Sequence, residues 1–211
     1  MQRKNEITVI LGKKGHGKTS MTVALTDPLK RLIIFDYNQE YQKGLIVTSP
    51  HQLIHFAKLN RSGFFRLIYR PASWLEVEKH FEYFSEIAFA LTDFTVVVEE
   101  VDLVSKAGSM PAGLKKLINY GRHRAINLVA LSRRANMVPR DLTANADVII
   151  SFNQHEPRDI KYISDYAGET AGERVRALVR TDSGSEFVEI REGKISREGR
   201  INFVDKKITW I

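Results

Sequence analysis

Short apolar runs that end at glycine, proline or a charge alternate along the chain with segments whose apolar positions recur at helical spacing. Ile7 to Leu11 ends at glycine and reads as a buried strand, and Arg31 to Asp36 reads as a second. Between them Lys18 to Thr26 predicts a helix that stops before Pro28. Pro50 to Leu59 predicts a helix, and Phe64 to Tyr69 a strand that closes on Arg70 and Pro71. Ser73, with Glu76 three residues on, predicts an N-cap. Trp74, Val77, Phe81, Phe84, Ala88 and Leu91 then mark one face of a long amphipathic helix.

Thr95 to Val98 reads as a strand ending on Glu99 and Glu100, followed by a small, flexible, basic loop from about Val104 to Gly113. Leu114, Leu117, Ile118 and Gly121 mark the next helix. Ile126 to Leu131 and Asp147 to Phe152 predict strands, with a short helix around Asp141 to Ala146 between them. Glu156 to Tyr166 predicts a helix, and Arg174 to Val179 has helical character. From Ser185 the spacing changes to alternation, punctuated at Glu192-Gly193 and Glu198-Gly199, which predicts a β-hairpin tail. Strands alternating with helices imply right-handed crossovers and a mostly parallel sheet, with ligands beyond the carboxyl ends of its strands. The expected division is a core over residues 1–184, with residues 185–211 a hairpin tail packed on the same domain.

Composition narrows the classes. With 43% hydrophobic and 27% charged residues among 211, the chain can bury a core, so global disorder is excluded. No apolar run reaches the roughly 18 residues a membrane-spanning helix needs. The opening residues lead directly into a strand and read as no signal peptide. Cysteine is absent, which removes disulfides, thiolate metal sites and cysteine nucleophiles. The six histidines show no metal-ligand spacing. The net charge of +7 is concentrated: Leu103 to Arg140 holds Lys106, Lys115, Lys116, Arg122, Arg124, Arg133, Arg134 and Arg140 and no acid, so the remainder is nearly neutral. A basic, acid-free segment of this length fits a polyanionic partner, although Lys115 and Lys116 alone read as a solvated face.

Gly12-Lys13-Lys14-Gly15-His16-Gly17-Lys18-Thr19 fits G-x-x-x-x-G-K-[ST] between a strand and a helix, the context the phosphate loop requires. Glycines let the backbone amides turn inward around phosphates, and the helix N-terminus adds partial positive charge. Gly12 to Ser20 are therefore candidate ATP-binding residues, with Lys18 reaching the β- and γ-phosphates and Thr19 holding Mg²⁺. In a phosphate-loop protein the strand ending in Glu99 and Glu100 is where the second nucleotide motif belongs. Alternation along a strand gives the two carboxylates different duties: Glu99 is assigned to the metal and Glu100 to the attacking water.

These motifs, with Gly121-Arg122-His123-Arg124, the strand to Ser132-Arg133 and the run Val138 to Asp147, occur in an order that resembles the HerA–FtsK superfamily of ring-forming P-loop ATPases. Phe35 to Tyr41 is similar to that family as well, and the resemblance spans about Ile7 to Asn153. Size and layout look like the genome-packaging ATPases of tailless icosahedral viruses with an internal membrane. The resemblance implies a RecA-like α/β fold, ATP and Mg²⁺ as cofactors, double-stranded DNA as the substrate track and a homo-oligomeric ring, a hexamer. It further implies docking to capsid or portal-vertex proteins, without a membrane span. The place of action would be the host cytoplasm at the capsid vertex, with retention in the virion as an alternative. It makes Arg122 or Arg124 the arginine supplied to a neighbouring subunit, with Arg70 a competitor, and makes Ser132 or Arg133 occupy the sensor place, where many members have glutamine. Lys106, Lys115 and Lys116 become candidate DNA contacts. Glu99-Glu100 departs from the common Asp-Glu, but the longer side chain still offers an oxygen ligand. Rival readings are another DNA motor of the superfamily, a phosphate-loop nucleotide kinase or switch that binds no nucleic acid, and a non-catalytic assembly scaffold.

Overall fold

A computed structural model describes residues 5–59, 63–73, 75–105 and 109–211. In chain order the strands are β1 (Ile7–Leu11), β2 (Arg31–Phe35), β3 (Leu45–Val47), β4 (Phe65–Tyr69), β5 (Phe94–Val98), β6 (Ile126–Ser132), β7 (Val148–Phe152), β8 (Gly184–Arg191), β9 (Lys194–Asn202) and β10 (Ile208–Trp210). The helices are α1 (Lys18–Thr26), α2 (Pro50–Leu59), α3 (Val77–Ala90), α4 (Val101–Val104), α5 (Ala112–Tyr120), α6 (Arg140–Ala144), α7 (Pro157–Ala167) and α8 (Glu169–Ala177). The chain divides into two compact units, one of Met1–Ile7 with Pro28–Ala130, the other of Thr8–Asp27 with Leu131–Ile211.

In the first unit the strands run in the order β6-β5-β2-β4-β3, every neighbour parallel. The register sets Phe35 beside both Tyr69 and Val98. Phe35, Tyr69, Phe81 and Phe84 form one aromatic core, with Phe81 edge-on to Phe35 at 5.1 Å. Burying each such ring stabilises the fold by roughly 1.5–3 kcal/mol, which is what holds α3 against the sheet. Gly113 lets α5 approach α3 closely: a Cβ there would stand 2.6 Å from Ser85 Cβ. The sheet in this unit therefore presents the carboxyl ends of β2 and β5 side by side.

In the second unit β1 pairs parallel with β7, and β8, β9 and β10 follow antiparallel in the order β10-β9-β8-β7-β1. Phe152 and Phe187 are buried in its core, and the exposed Trp210 stands edge-on to Phe187 at 5.4 Å. Glu192 (φ 50) and Gly193 (φ 71) make the β8–β9 turn, both residues left-handed as a two-residue hairpin needs. The α/β class, the mostly parallel strands flanked by helices and the antiparallel C-terminal strands are as the sequence pattern indicates.

Three local readings change, and two short elements are added. Glu198-Gly199 is not a turn but lies inside β9, where a Cβ on Gly199 would stand 2.8 Å from both Phe187 Cζ and Thr209 O; the glycine is there for close packing. Ser73 does not cap α3. The helix begins at Val77 with Glu76 at the N-cap, and the Glu76 carboxylate meets Lys79 at 3.3 Å instead of reaching back. α8 starts at Glu169, five residues before the apolar spacing is visible, because its first turns are polar. β3 is too short, and α4 too close to the charged strand end, to show a period of their own. Trp74 lies outside the described residues.

Candidate active site

The loop between β1 and α1 is built in the second unit. At Gly12 a Cβ would stand 2.8 Å from Phe152 Cβ, so only glycine lets the chain turn against β7. The Gly12 amide donates to the Ser132 carbonyl at 3.2 Å. Gly17 sits at φ 103, and a Cβ there would come within 2.9 Å of the Phe203 ring and 3.1 Å of Ile201 Cγ2. The C-terminal strands, whose role is not legible in the sequence, thus form the backing of this loop. Lys18 is buried and folds its ammonium back, donating to Gly12 O at 2.8 Å and Lys13 O at 3.3 Å. A lysine held against carbonyls of its own loop is positioned for phosphate oxygens to take the place of those acceptors. His16 Nδ1 lies 3.1 Å from Lys14 O. Burial holds the His16 imidazole below its ordinary value, assisted by the positive charges of Arg180, Lys13 and Lys18.

The carboxylates are built in the first unit, beyond the end of β5. Glu99 and Glu100 are both buried. The Glu99 amide donates to Phe35 O at 3.2 Å, which registers the end of β5 on the end of β2. Glu100 adopts φ 52, ψ 53 and starts the single turn α4. A left-handed glutamate costs about 1–3 kcal/mol, a strain typical of functional positions. Its Oε1 accepts from Asn38 Nδ2 at 3.2 Å. Asn38 is in turn set by Asp36, fully buried, whose carboxylate accepts from the amides of Glu40 (2.9 Å) and Tyr41 (3.4 Å) and from Arg70 Nε (2.9 Å). Arg70 also donates to Tyr41 O. Arg70 is thereby committed to closing the 36–41 loop. Asn38 escaped the sequence reading as a site residue; its signals were its place just past β2 and inside the run Phe35 to Tyr41.

The other candidates scatter. Ser132 is buried and its hydroxyl is turned onto Arg134, donating to the carbonyl at 2.9 Å and accepting from the amide at 3.2 Å. Arg133 is half-buried. Arg134 is tied to Asp159 (2.6 Å) and Glu156 (2.7 Å). Arg122 is exposed, and Arg124 lies over the Phe89 ring at 4.7 Å. Lys116 pairs with Glu86 at 2.8 Å, Lys115 is exposed, and Lys106 lies outside the described residues. Beyond β7, Gln154 is buried with neither amide atom bonded among the described residues.

Among the described residues no three His, Cys, Asp or Glu side chains gather around a metal position. The Thr19 hydroxyl, in the second unit, and the Glu99 carboxylate, in the first, are each hard oxygen donors of the kind Mg²⁺ takes. No helix among the described residues is long and apolar enough to cross a membrane.

Strand, glycine loop and buried lysine on parallel strands define the fold of a P-loop NTPase. Among solved structures, that fold is shared with the genome-packaging NTPase B204 of Sulfolobus turreted icosahedral virus 2 in complex with ATP-gammaS, at a TM-score of 0.67 and 19% identity, covering 98% of this chain and 96% of that one. B204 of Sulfolobus turreted icosahedral virus, the DNA-packaging ATPase, matches with a TM-score of 0.63 at 19% identity, over 99% of this chain and 97% of that one. No family model matches the chain, and no curated protein does. The likeness to these two proteins is one of fold.

Proposed function

We propose that this chain is an ATP-hydrolysing translocase of double-stranded DNA that packages a viral genome into a preformed capsid. The observation that carries the reading is the loop of residues 12–19, where glycines pressed against Phe152, Phe203 and Ile201 hold the Lys18 ammonium among carbonyls. Near-complete coverage by a packaging NTPase of the same fold supports the motor class.

In this reading the amides of residues 13–19 and Lys18 hold the triphosphate. Thr19 and Glu99 would hold Mg²⁺, which when bound neutralises charge developing on the phosphates. Glu100 takes the proton of the attacking water, its carboxylate aimed by Asn38. Arg122 or Arg124 serves a neighbouring subunit of a hexameric ring, where it stabilises transition-state charge. Lys106, Lys115 and Lys116 contact backbone phosphates without reading sequence, as a motor that must pass a whole genome requires. The place of action is the capsid vertex.

The test is ATP hydrolysis by the wild type and by Glu100→Gln, with and without duplex DNA at low salt. DNA should stimulate the wild type, and Glu100→Gln should bind ATP without turning it over. A wild-type rate unmoved by DNA sinks the translocase reading, and phosphoryl transfer to a small molecule would identify a kinase instead.

A further inference from the structure

Two cations from the C-terminal part of the second unit are fastened to the phosphate loop. Arg180, between α8 and β8, donates from Nε to the Gly15 carbonyl at 2.9 Å. Lys206, between β9 and β10, donates from Nζ to Ser20 Oγ at 3.1 Å in the first turn of α1. Lys206 also reaches the carbonyl of Phe203, the residue whose ring backs Gly17, and Arg180 stands 5.8 Å from that same ring. Lys206 sits at φ 58, a left-handed conformation that a non-glycine residue adopts at a cost, as ligand clamps often require. Among the described residues neither cation has a carboxylate partner; the adjacent Asp205 meets Lys207 instead. The loop thus faces positive charge added from outside its own motif.

We propose that the C-terminal segment completes the nucleotide site, with Lys206 binding the α-phosphate of the nucleotide beside Ser20 and Arg180 acting as a positioning residue that latches the loop at Gly15. This rests on reading residues 12–20 as the nucleotide loop. The amides at the start of α1 meet the inner phosphates, and Ser20 Oγ brings the Lys206 ammonium to that end of the loop. Arg180, exposed and bonded to backbone, restrains the turn without needing to touch the ligand. The antiparallel tail then has a duty beyond packing: it delivers a charge that the eight-residue motif does not contain.

Calorimetric titration with ATPγS tests this on the wild type, Lys206→Met, Lys206→Gln, Lys206→Arg and Arg180→Met, with unfolding temperature measured on each free protein. Lys206→Met and Lys206→Gln should both weaken binding about tenfold or more, the scale of a charge-assisted hydrogen bond. Both should also flatten the salt dependence of affinity, and Lys206→Arg should restore both readouts. Glutamine can keep the bond to Ser20, so recovery of wild-type affinity by Lys206→Gln would show a merely structural tie and overturn the assignment. So would loss of affinity in step with a lowered unfolding temperature and an unchanged salt slope. Arg180→Met should weaken binding while leaving the salt slope as in the wild type; wild-type affinity there overturns the latch. A wild type that fails to bind ATPγS defeats the nucleotide reading itself, whereas wild-type binding matched by Lys206→Met defeats only this inference.

Discussion

Asn38 and Glu100, 62 residues apart, meet through Asn38 Nδ2 and Glu100 Oε1 at 3.2 Å. The pairing is a consequence of parallel strand order: β2 and β5 are neighbours, so residues just past their carboxyl ends share one edge. Asp36 and Arg70 lock the loop that carries Asn38, and the left-handed backbone of Glu100 turns its carboxylate toward it.

Asn38→Ala should therefore lower the hydrolysis rate while leaving the KM for ATP near its wild-type value. The loss should be about tenfold, the worth of one hydrogen bond to a charged group at about 1.5 kcal/mol. Asn38→Asp should lose more, since it puts a second carboxylate where the amide donor stood. Steady-state ATPase kinetics check both, and a KM change with an intact kcat would contradict the positioning role.

Gly17→Ala should destabilise the fold and weaken ATPγS binding together. The added Cβ meets the Phe203 ring at 2.9 Å at a φ of 103, where an L side chain is strained by about 1–3 kcal/mol. Adding Phe203→Ala should recover part of the lost unfolding temperature by removing the clash, but not the part due to backbone strain. Thermal unfolding of the single and double variants measures this coupling.

His16 should report nucleotide binding through its protonation. Burial, with Arg180, Lys13 and Lys18 nearby, lowers its pKa from 6.5 in the free protein. The folded state thus binds fewer protons than the unfolded one, and this group's contribution to stability is full above about 6.5 and falls as pH drops below it. Triphosphate beside the ring favours the charged form, so the pKa should rise on binding and ATPγS affinity should increase as pH falls through that window. Imidazole titration by NMR, with and without ATPγS, tests the direction.

Glu189 should be a source of acid sensitivity unrelated to the site. Its carboxylate is buried, which pushes its pKa up, but Arg197 at 2.8 Å and Arg191 at 2.7 Å outweigh this and hold it below the usual value. The stabilisation is present above the unfolded value near 4.5 and is lost as pH falls through the lower folded value. Glu189→Gln should cost about 1–3 kcal/mol at neutral pH, with the gap to wild type closing toward pH 3 in thermal unfolding.

The residue pattern alone determined the elements around the chemistry. β1, α1 and α2 have the bounds that their apolar runs and the flanking glycine and proline indicate, because a buried strand and a helix face each leave a local period. It also showed the phosphate-loop motif, since that motif is contiguous, while the packing of Gly12 on Phe152 and of Gly17 on Phe203 and Ile201 came from the fold. What only the tertiary structure decided was partnership between distant segments. Arg70, a candidate for work at a subunit boundary by its place at a strand end, is committed to Asp36. Asn38 gained its place beside Glu100 through strand order, and Lys206 its place beside Ser20 through a tail whose alternation signals hairpins and nothing more. Spacing along a chain encodes which face of an element is buried; which two faces meet is fixed by packing, and packing is what set these pairs.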